Sequence, residues 1–482
     1  MDNDLLKNTL KQVIDLIHHN FLSQAEEIAE QALKVFDDRN LWQLLAICKI
    51  GMKKYKEAEP ILRKSLENHP NPSDFNNLSI VLKSIGKLEE ALEYAKLSIG
   101  LSNKNHRYLA NISNIYYLLD KFDLALSYMT EACSLCPSCT DYIMNLAAYK
   151  SQNADKQGAF EEIKKALIIE PKPDYYVEGF YCLAAQKKYE KAWQFYEHRY
   201  ASMPQVSKFS QQYNLPVLFE KKNFYEEKIA IVFEQGLGDN IMYSRFITQF
   251  LEKAPNAYVL MTDQIVESFF RGLSLPVKES IEEGTSHLLG IMSLPYHLET
   301  KEIPPPVKLW KHSPEKSTKL KVGIVWAGSA FHPCDDVRST YFLDFMPFLN
   351  DPEIEVCSLM RDKRKRKRIG QDEVVDYALG FEDHKITDYG SKMDDVLSTT
   401  KVLNEIDVLV SVDTAIVHIA GTIGVPTYVL VNQNCDWRWG VDEKISDWYG
   451  SIEIFRTSKT DNYKNVLCMV HKKIRGEKFA SY

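Results

Sequence analysis

Small apolar residues recur at a fixed interval in the first part of the chain, inside segments whose apolar positions follow helical spacing. The recurring alanines lie 33 or 34 residues apart: Ala25, Ala58, Ala91, Ala125, Ala159 and Ala192. Proline, which ends a helix, comes twelve residues after four of them: Pro70, Pro137, Pro171 and Pro204. The pattern predicts repeated pairs of helices that approach each other closely at the alanines.

The interval is the period of a tetratricopeptide array. A short polar turn precedes the second helix of each unit, as at residues 55–58, 87–91 and 121–125. One such unit cannot bury its apolar face, but about six stacked units can. We therefore expect a tetratricopeptide superhelix with an extended concave groove over residues 1–205.

Three asparagines share one phase of the repeat: Asn77, Asn111 and Asn145. Asparagine is a poor residue inside a helix, and its amide offers a donor and an acceptor that match a peptide backbone. In the usual repeat register this position faces the groove, so the asparagines are candidate contacts for an extended acceptor polypeptide. The arrangement resembles the asparagine ladder of the tetratricopeptide arm of protein O-GlcNAc transferases. Coincidence or internal capping is the alternative, and the other repeats carry Lys11, Leu44 and Glu178 there.

Beyond residue 205 the repeat pattern ends in a polar and aromatic connector, residues 206–227. Short apolar runs then alternate with helical segments, which is typical of parallel α/β domains. The predicted strands are residues 229–233, 258–261, 321–326, 356–360, 408–411 and 427–431. A proline-rich segment at 303–308 divides this part. We expect a fold of the α + α/β class, with α/β domains at 228–312 and 319–482.

A glycine turn, Gly236 and Gly238, follows the first predicted strand and opens a helix. Such a turn presents backbone N–H groups to an anion. The third glycine of the dinucleotide fingerprint is replaced by Ile241, which disfavours a nicotinamide cofactor. Asp239 is either a helix cap or a carboxylate positioned as a general base.

Polar clusters follow three later strands, where open α/β sheets bind ligands. Asp436, Trp437 and Arg438 combine an acid, a cation and a flat ring that could hold a base or a sugar. Each cluster alone could be a cap or a core aromatic. The other two clusters are Trp326 and Gly328 with Arg338 and Ser339, and Asp413 and Thr414 with His418.

Together these motifs resemble those of tetratricopeptide-repeat glycosyltransferases related to the bacterial ADP-heptose lipopolysaccharide heptosyltransferases. The matching segments are EQGLGD at 234–239, MSLP at 292–295, VWAG at 325–328, SVDT at 411–414, HIAG at 418–421 and DWRW at 436–439. The resemblance implies a GT-B module of two Rossmann-like domains, with the acceptor side at 228–312 and the nucleotide-sugar side at 319–482.

The resemblance further implies an inverting transfer without metal or cofactor, in which Asp239 is the catalytic base. It places the donor at Asp413, Thr414 and His418, and we add the other motif residues to the donor site. These are Gly236, Gly238, Trp326, Gly328, Arg338, Ser339, Asp436, Trp437 and Arg438. Asp239 would deprotonate or orient an acceptor hydroxyl, while Arg338, the Thr414 region and helix N-termini stabilise the departing nucleotide.

Two features depart from the heptosyltransferases. Ala415 stands where they usually carry glycine, and the first α/β domain is shorter than theirs. The first departure leaves the donor sugar open, and the second suggests that the repeats take over part of the acceptor side.

The formal charge of -7 on 482 residues argues against bulk nucleic-acid binding. No apolar run has the roughly 18 residues of a membrane span, and the start of the chain has no signal-like core, so we expect a cytoplasmic protein. The basic run at 361–368 is interpreted as a solvated face, with contact to donor phosphates as the alternative.

Nine cysteines, most of them in apolar patterns, suggest reduced and mainly structural thiols. Cys133, Cys136 and Cys139 are spaced C-x-x-C-x-x-C. A metal centre needs a fourth ligand, and none lies nearby in the sequence, so we expect no metal site.

The expected function is transfer of a sugar from a nucleotide-sugar to a protein held by the repeats, for example a bacterial flagellin or surface protein. Two alternatives stay open. One is a noncatalytic tetratricopeptide scaffold with a degenerate nucleotide-binding module, and the other is a lipopolysaccharide or glycan heptosyltransferase.

Overall fold

The chain forms two compact units, Met1–Glu170 and Pro171–Tyr482, in the computed structural model. The structure describes residues 2–68, 70–102, 104–202, 205–220, 224–262, 264–307, 311–314, 317–329, 332, 335–362, 366–367, 374–433, 435–457 and 463–476. Pro204 and half of the basic run at 361–368, namely residues 363–365 and 368, lie outside these residues.

The first unit is built of helices that pair in chain order as five antiparallel hairpins. Each hairpin packs on the next, which confirms the predicted array of helical pairs. The helices are α1 (Asp2–His18), α2 (Leu22–Leu33), α3 (Arg39–Gly51), α4 (Tyr55–Asn68), α5 (Pro72–Ser84), α6 (Leu88–Gly100), α7 (His106–Leu118), α8 (Phe122–Leu135), α9 (Thr140–Gln152) and α10 (Lys156–Ile169).

The recurring alanines lie in the core, and all six are 0% exposed. The turn inside each hairpin is also periodic, because the residue five positions before each alanine has a positive φ. These residues are Asn20, Lys53, Gly86, Asp120, Ala154 and Lys187, with φ between 57° and 83°. Glycine occupies only one of these turns, although the left-handed region favours it.

The second unit begins with four helices, of which the first two form the hairpin around Ala192. They are α11 (Pro173–Ala185), α12 (Tyr189–Tyr196), α13 (Arg199–Ser202) and α14 (Gln205–Tyr213).

A four-stranded parallel sheet follows, in the order β3-β2-β1-β4. All four residues of its central strand β1 are buried, as expected of a parallel strand covered on both faces. Its strands are β1 (Ile229–Val232), β2 (Tyr258–Leu260), β3 (Val277–Lys278) and β4 (His287–Gly290), and its helices are α15 (Leu237–Tyr243), α16 (Ile247–Lys253), α17 (Gln264–Gly272) and α18 (Leu294–His297).

A six-stranded sheet with all its neighbours parallel completes the second unit, in the order β12-β11-β10-β5-β6-β9. A separate antiparallel pair, β7 with β8, lies between β6 and β9 in the chain. The strands are β5 (Leu320–Val325), β6 (Ile354–Ser358), β7 (Arg366–Lys367), β8 (Val374–Val375), β9 (Thr387–Asp388), β10 (Val408–Val412), β11 (Thr427–Val431) and β12 (Ile452–Arg456), and the helices are α19 (Asp335–Arg338), α20 (Met346–Leu349), α21 (Val396–Leu403), α22 (Ala415–Ile423) and α23 (Tyr463–Ile474).

These sheets confirm a second part of parallel α/β structure. Among the described residues, no helix is both long and apolar enough to cross a membrane. Cys136 and Cys139 are joined by a disulfide bond. This bond corrects the expectation of reduced thiols for these two cysteines, whereas six other cysteines among the described residues are free thiols.

Candidate active site

The loop between β1 and α15 is held in place by its own side chains. Asn240 Oδ1 accepts from the N–H of Glu234 at 3.1 Å, and Asn240 Nδ2 donates to the carbonyl of Gly236 at 2.9 Å. Asp239 Oδ2 accepts from the N–H of Gly236 at 3.1 Å. Asp239 therefore caps the first turn of α15, which is one of the two roles that its position in the sequence left open.

The other carboxylate oxygen of Asp239 pairs with Arg438. Arg438 Nη2 lies 2.6 Å from Asp239 Oδ1, and Arg438 Nη1 lies 3.2 Å from Asp436 Oδ2. Asp239 and Arg438 are 199 residues apart in the chain. The pair therefore joins the carboxyl end of β1 to the segment that follows β11.

The charges around Arg438 affect one another. Loss of solvation lowers the pKa of Arg438, but Asp436, Asp239 and Asp413 raise it more, so this pKa lies above its ordinary value. Loss of solvation also raises the pKa of Asp436 to about 6, although Arg438 opposes this shift. Two carboxylates thus pair with one guanidinium, and the charge of Asp413 acts on it as well. Its Nε makes no hydrogen bond to the described residues.

Gly238 lets α15 approach α22 closely. A Cβ atom at Gly238 would lie 2.6 Å from His418 Cδ2 and 3.3 Å from the Cα of Ala415. A larger residue would push the two helices apart. The structure therefore gives Gly238 a packing role, in addition to the anion-binding turn that the sequence predicts.

His418 belongs to α22, takes part in this contact and is only 3% exposed. Its Nδ1 lies 3.2 Å from the hydroxyl of Tyr449, and its ring stacks on Trp439. Burial and then the Arg438 cation lower its pKa to about 3, so the imidazole is neutral near pH 7. His418 therefore packs α22 against α15 at Gly238.

The N-terminus of α22 lies at the carboxyl end of β10. Thr414 precedes the helix with an extended backbone and does not cap it with its side chain. Asp413 and Thr414 are both half-buried. The first N–H groups of a helix without a side-chain cap can bind an anion.

A second cationic cluster lies at the carboxyl end of β5. The Arg338 guanidinium covers the backbone of Gly328 so closely that a Cβ atom there would overlap it. Ser339 Oγ accepts from the Gly328 N–H at 3.1 Å and donates to Asp335 at 2.8 Å. Gly328, Arg338 and Ser339 are thus brought together, as predicted.

His332 links the two clusters electrostatically. Its pKa is lowered, first by loss of solvation and then by the Arg338 cation. Asp413 and Arg438 also act on it. Arg338, Asp413 and Arg438 therefore share one electrostatic environment.

Two aromatic residues that we expected to contact the donor lie in the core. Trp326 is 0% exposed and packs against Phe342 and Phe381. Trp437 is 6% exposed, and its ring contacts Phe180, among other core aromatic rings. Neither ring is available for stacking on a base or sugar, which corrects that interpretation.

Sequence reasoning missed Arg199, which is fully buried below the loop after β1. Arg199 pairs with both carboxylate oxygens of Glu234, at 3.0 and 2.7 Å. It also donates to Glu197 at 2.9 Å and to Ser293 at 2.8 Å. Glu234 and Ser293 are motif residues, and they hold this cation rather than face a ligand.

The last hairpin also contacts the candidate site. The α11 helix packs on the short 3-10 helix Trp437–Trp439. Loss of solvation, followed by the charge of Asp436, raises the pKa of Tyr181 on α11 to about 12. Gln235 has a φ of 56°, and its Nε2 donates a hydrogen bond to the hydroxyl of Tyr196 on α12 at 2.5 Å. The only sequence signal for these contacts was a cluster of aromatic residues near Ala192.

The three asparagines of the repeat unit differ from one another. Asn111 is 5% exposed, and its Nδ2 donates to Asn76 at 3.1 Å and to Ser79 at 2.5 Å, while its Oδ1 accepts from Lys83 at 3.1 Å. This differs from the free amide that peptide binding requires. Asn77 and Asn145 are half-buried.

Comparison with known proteins identifies the repeat type. The tetratricopeptide repeat family matches residues 106–139, which contain α7 and α8. This match confirms the predicted repeat for that hairpin.

One curated protein and two solved structures are similar to this chain at low sequence identity. Protein FlbA of Caulobacter vibrioides is 19% identical over 426 residues, covering 80% of this chain and 69% of FlbA. The solved structure of YrrB, a TPR protein with an unusual peptide-binding site, is 20% identical, with a TM-score of 0.30 over 37% of this chain and 90% of that one. The structure of PilW, a type IV pilus biogenesis factor, is 16% identical, with a TM-score of 0.39 over 43% of this chain and 97% of that one.

Proposed function

We propose that this protein is a GT-B glycosyltransferase that moves a sugar from a nucleotide-sugar to a protein. The convergence of Asp239, Asp413, Thr414 and Arg438 supports this proposal. These residues follow β1, β10 and β11, at the strand ends where parallel α/β sheets bind ligands. A carboxylate, a cation and an open helix N-terminus are the groups that metal-independent sugar transfer needs.

In this proposal the Asp239–Arg438 pair is the resting state of the site. An anionic nucleotide diphosphate competes with Asp239 for Arg438, because phosphate oxygens are strong acceptors for guanidinium groups. Binding of the donor then frees a carboxylate oxygen of Asp239. This oxygen orients or deprotonates the acceptor hydroxyl, while Arg338 and the N–H groups of α22 stabilise the departing nucleotide.

In this proposal the first unit, Met1–Glu170, holds the acceptor protein. An extended polypeptide, such as a segment of a bacterial flagellin or surface protein, binds the amides of Asn77 and Asn145. Asn111 contributes by fixing α7 against α5 through Asn76 and Ser79. The three asparagines thus have two different roles.

The Asp239→Asn variant tests the catalytic assignment. It keeps the size of the side chain but removes the carboxylate, so we expect nucleotide release from a panel of nucleotide-sugars to fall about 10²–10⁴-fold. Intact mass spectrometry of co-expressed acceptor proteins should show the added sugar only with the wild type. The exposed Asp442→Asn variant is the control, and unchanged transfer by Asp239→Asn would refute the assignment.

A noncatalytic scaffold is the second candidate, and the ion pair that engages Asp239 favours it. In that case the Asp239–Arg438 pair only joins the two sheets. Replacement of either residue would then lower stability, and the wild type would release no nucleotide from any donor. Acceptor binding without any mass addition would support the scaffold.

A further inference from the structure

The turn between α8 and α9 contains two cysteines in a C-x-x-C arrangement, Cys136-Pro-Ser-Cys139. The two residues are joined by a disulfide bond, with their Cα atoms 5.5 Å apart. Cys139 is the residue immediately before α9, a helix of 13 residues. A thiolate at a helix N-terminus is stabilised by the helix dipole.

A histidine from another helix completes this cluster. One ring nitrogen of His106, at the start of α7, lies within 4.8 Å of the sulfur atoms of both Cys136 and Cys139. His106 Nδ1 also lies 3.2 Å from the hydroxyl of Tyr142 on α9, which fixes the ring beside the pair. The sequence did not reveal this neighbour because it lies 30 residues before Cys136.

The pair is more accessible than three of the other cysteines and as accessible as Cys133, Cys435 and Cys468, which are also half-buried. Cys136, Cys139 and His106 are all half-buried, so a small molecule can reach them. Cys48, Cys182 and Cys357 are buried. Burial raises the pKa of the nearby Cys133 to about 11, which makes it a poor nucleophile near neutral pH.

We propose that Cys136 and Cys139 form a reversible dithiol–disulfide site that exchanges with a low-molecular-weight disulfide. In the reduced form, His106 takes the proton of Cys139, and the thiolate attacks the disulfide. A mixed disulfide forms on Cys139, and the first thiolate leaves and takes the proton from His106.

The second step closes the protein disulfide. Cys136 attacks the Cys139 sulfur of the mixed disulfide, and its proton goes to the second departing thiolate. The protein dithiol is thereby oxidised by two electrons, and one small disulfide is reduced to two thiols. The chemistry is independent of sugar transfer, and its result is that the covalent state of the α8–α9 turn changes.

Counting alkylated thiols on the full chain tests the proposal. After equilibration with glutathione and its disulfide at different ratios, mass spectrometry should show two more alkylated thiols in the reduced form than in the oxidised form. Cys133→Ser should keep this difference of two. Cys136→Ser or Cys139→Ser should reduce it to at most one, the thiol that forms a mixed disulfide with glutathione. An equal count for the wild type at every ratio would overturn the proposal.

The order of attack and the role of His106 need a second measurement. With Cys136→Ser, glutathione disulfide should trap a mixed disulfide on Cys139. Adding His106→Asn should slow trapping about tenfold at neutral pH, with recovery above pH ~8.5, where a thiol ionises without help. Trapping that is insensitive to His106 at every pH would contradict its role. Stoichiometric zinc that protects both thiols of the reduced wild type would overturn the proposal in favour of a metal centre.

Discussion

Asp239 makes contacts of two kinds with its two carboxylate oxygens. One oxygen caps α15 through Gly236, and the other neutralises Arg438. A residue that only capped the helix would not need a cation at 2.6 Å, and Arg438 would then pair directly with Asp436 while Asp413 acted on it by its charge. The contact with Arg438 is therefore the feature of the site that the cap does not explain.

Asn111 should matter for stability more than the other two asparagines. Asn111→Ala removes two buried hydrogen bonds and one partly buried bond, and it leaves Ser79 and Lys83 without this partner, so we expect the free energy of unfolding to fall by about 1–3 kcal/mol. Asn77→Ala and Asn145→Ala should change it by less than about 0.5 kcal/mol. Urea unfolding followed by far-UV circular dichroism measures this. Equal losses in all three variants would show that the position has one role.

His418 should make the second unit sensitive to acid. Its pKa is about 3 in the folded protein and near 6.5 when unfolded, so the unfolded state binds more protons as the pH falls below about 6.5. Stability should therefore drop by about 2 kcal/mol between pH 7 and pH 5 on account of this group. Urea midpoints of His418→Gln should lack this part of the drop. The exposed His18→Gln variant should keep it, and an unchanged slope in His418→Gln would contradict the prediction.

At the scale of the elements, the periodic turn of the repeats allows a matched pair of substitutions. Ala154 and Gly86 occupy the same position in different hairpins, with φ of 63° and 83°. Ala154→Gly relieves the left-handed backbone and should stabilise the first unit by about 0.5–1 kcal/mol, whereas Gly86→Ala should destabilise it by about 1 kcal/mol.

Steric contacts do not contribute to the effect of Gly86→Ala, because a Cβ atom at Gly86 would meet no other heavy atom within 4 Å. Thermal unfolding of both variants measures whether each substitution raises or lowers the stability of the first unit. If both substitutions destabilise, then the side chain at residue 154 contributes more than the backbone strain.

The sequence predicted the strands whose apolar runs are continuous, such as β1, β10 and β11. It missed β4, which starts with a histidine and ends with a glycine, and β12, where Glu453 interrupts the apolar residues. Short strands of this kind take their conformation from pairing with neighbours, which periodicity does not record. The helical pairs were predicted more completely because their repeat supplies many equivalent positions.

The candidate site could be predicted as a list of motifs but not as a set of contacts. The pairing of Asp239 with Arg438 depends on how two sheets come together, and nothing in either motif encodes it. The burial of Trp437 is not encoded in its motif either, because Phe180 on α11 and Trp193 on α12 cover its ring. An aromatic residue beside charged residues therefore has two interpretations until its neighbours are known.

At the scale of the whole molecule, Arg199 should stabilise one unit alone. Arg199→Met leaves Glu234 and Glu197 buried without their cation, so we expect a loss of about 3–5 kcal/mol in the second unit. Six of the seven tryptophans belong to that unit and only Trp42 to the first, so tryptophan fluorescence reports on the second.

The experiment compares two signals during urea unfolding. The fluorescence transition should move to lower urea, while the part of the far-UV circular dichroism signal that comes from the first unit should not. Arg271→Met, which removes an exposed ion pair in the same unit, should leave the urea midpoint of the fluorescence transition nearly unchanged. A parallel shift of both signals would mean that the two units unfold together.

The left-handed turn that recurs in every hairpin also bears on how chains of this kind can change in length. Because each hairpin carries the same turn and the same buried alanine, a duplicated or lost unit of 33 or 34 residues restores an identical junction on both sides. A deletion that is not a whole number of repeats would shift the turn residues relative to the helices. Natural and engineered variation in this part of the protein should therefore come in whole repeats.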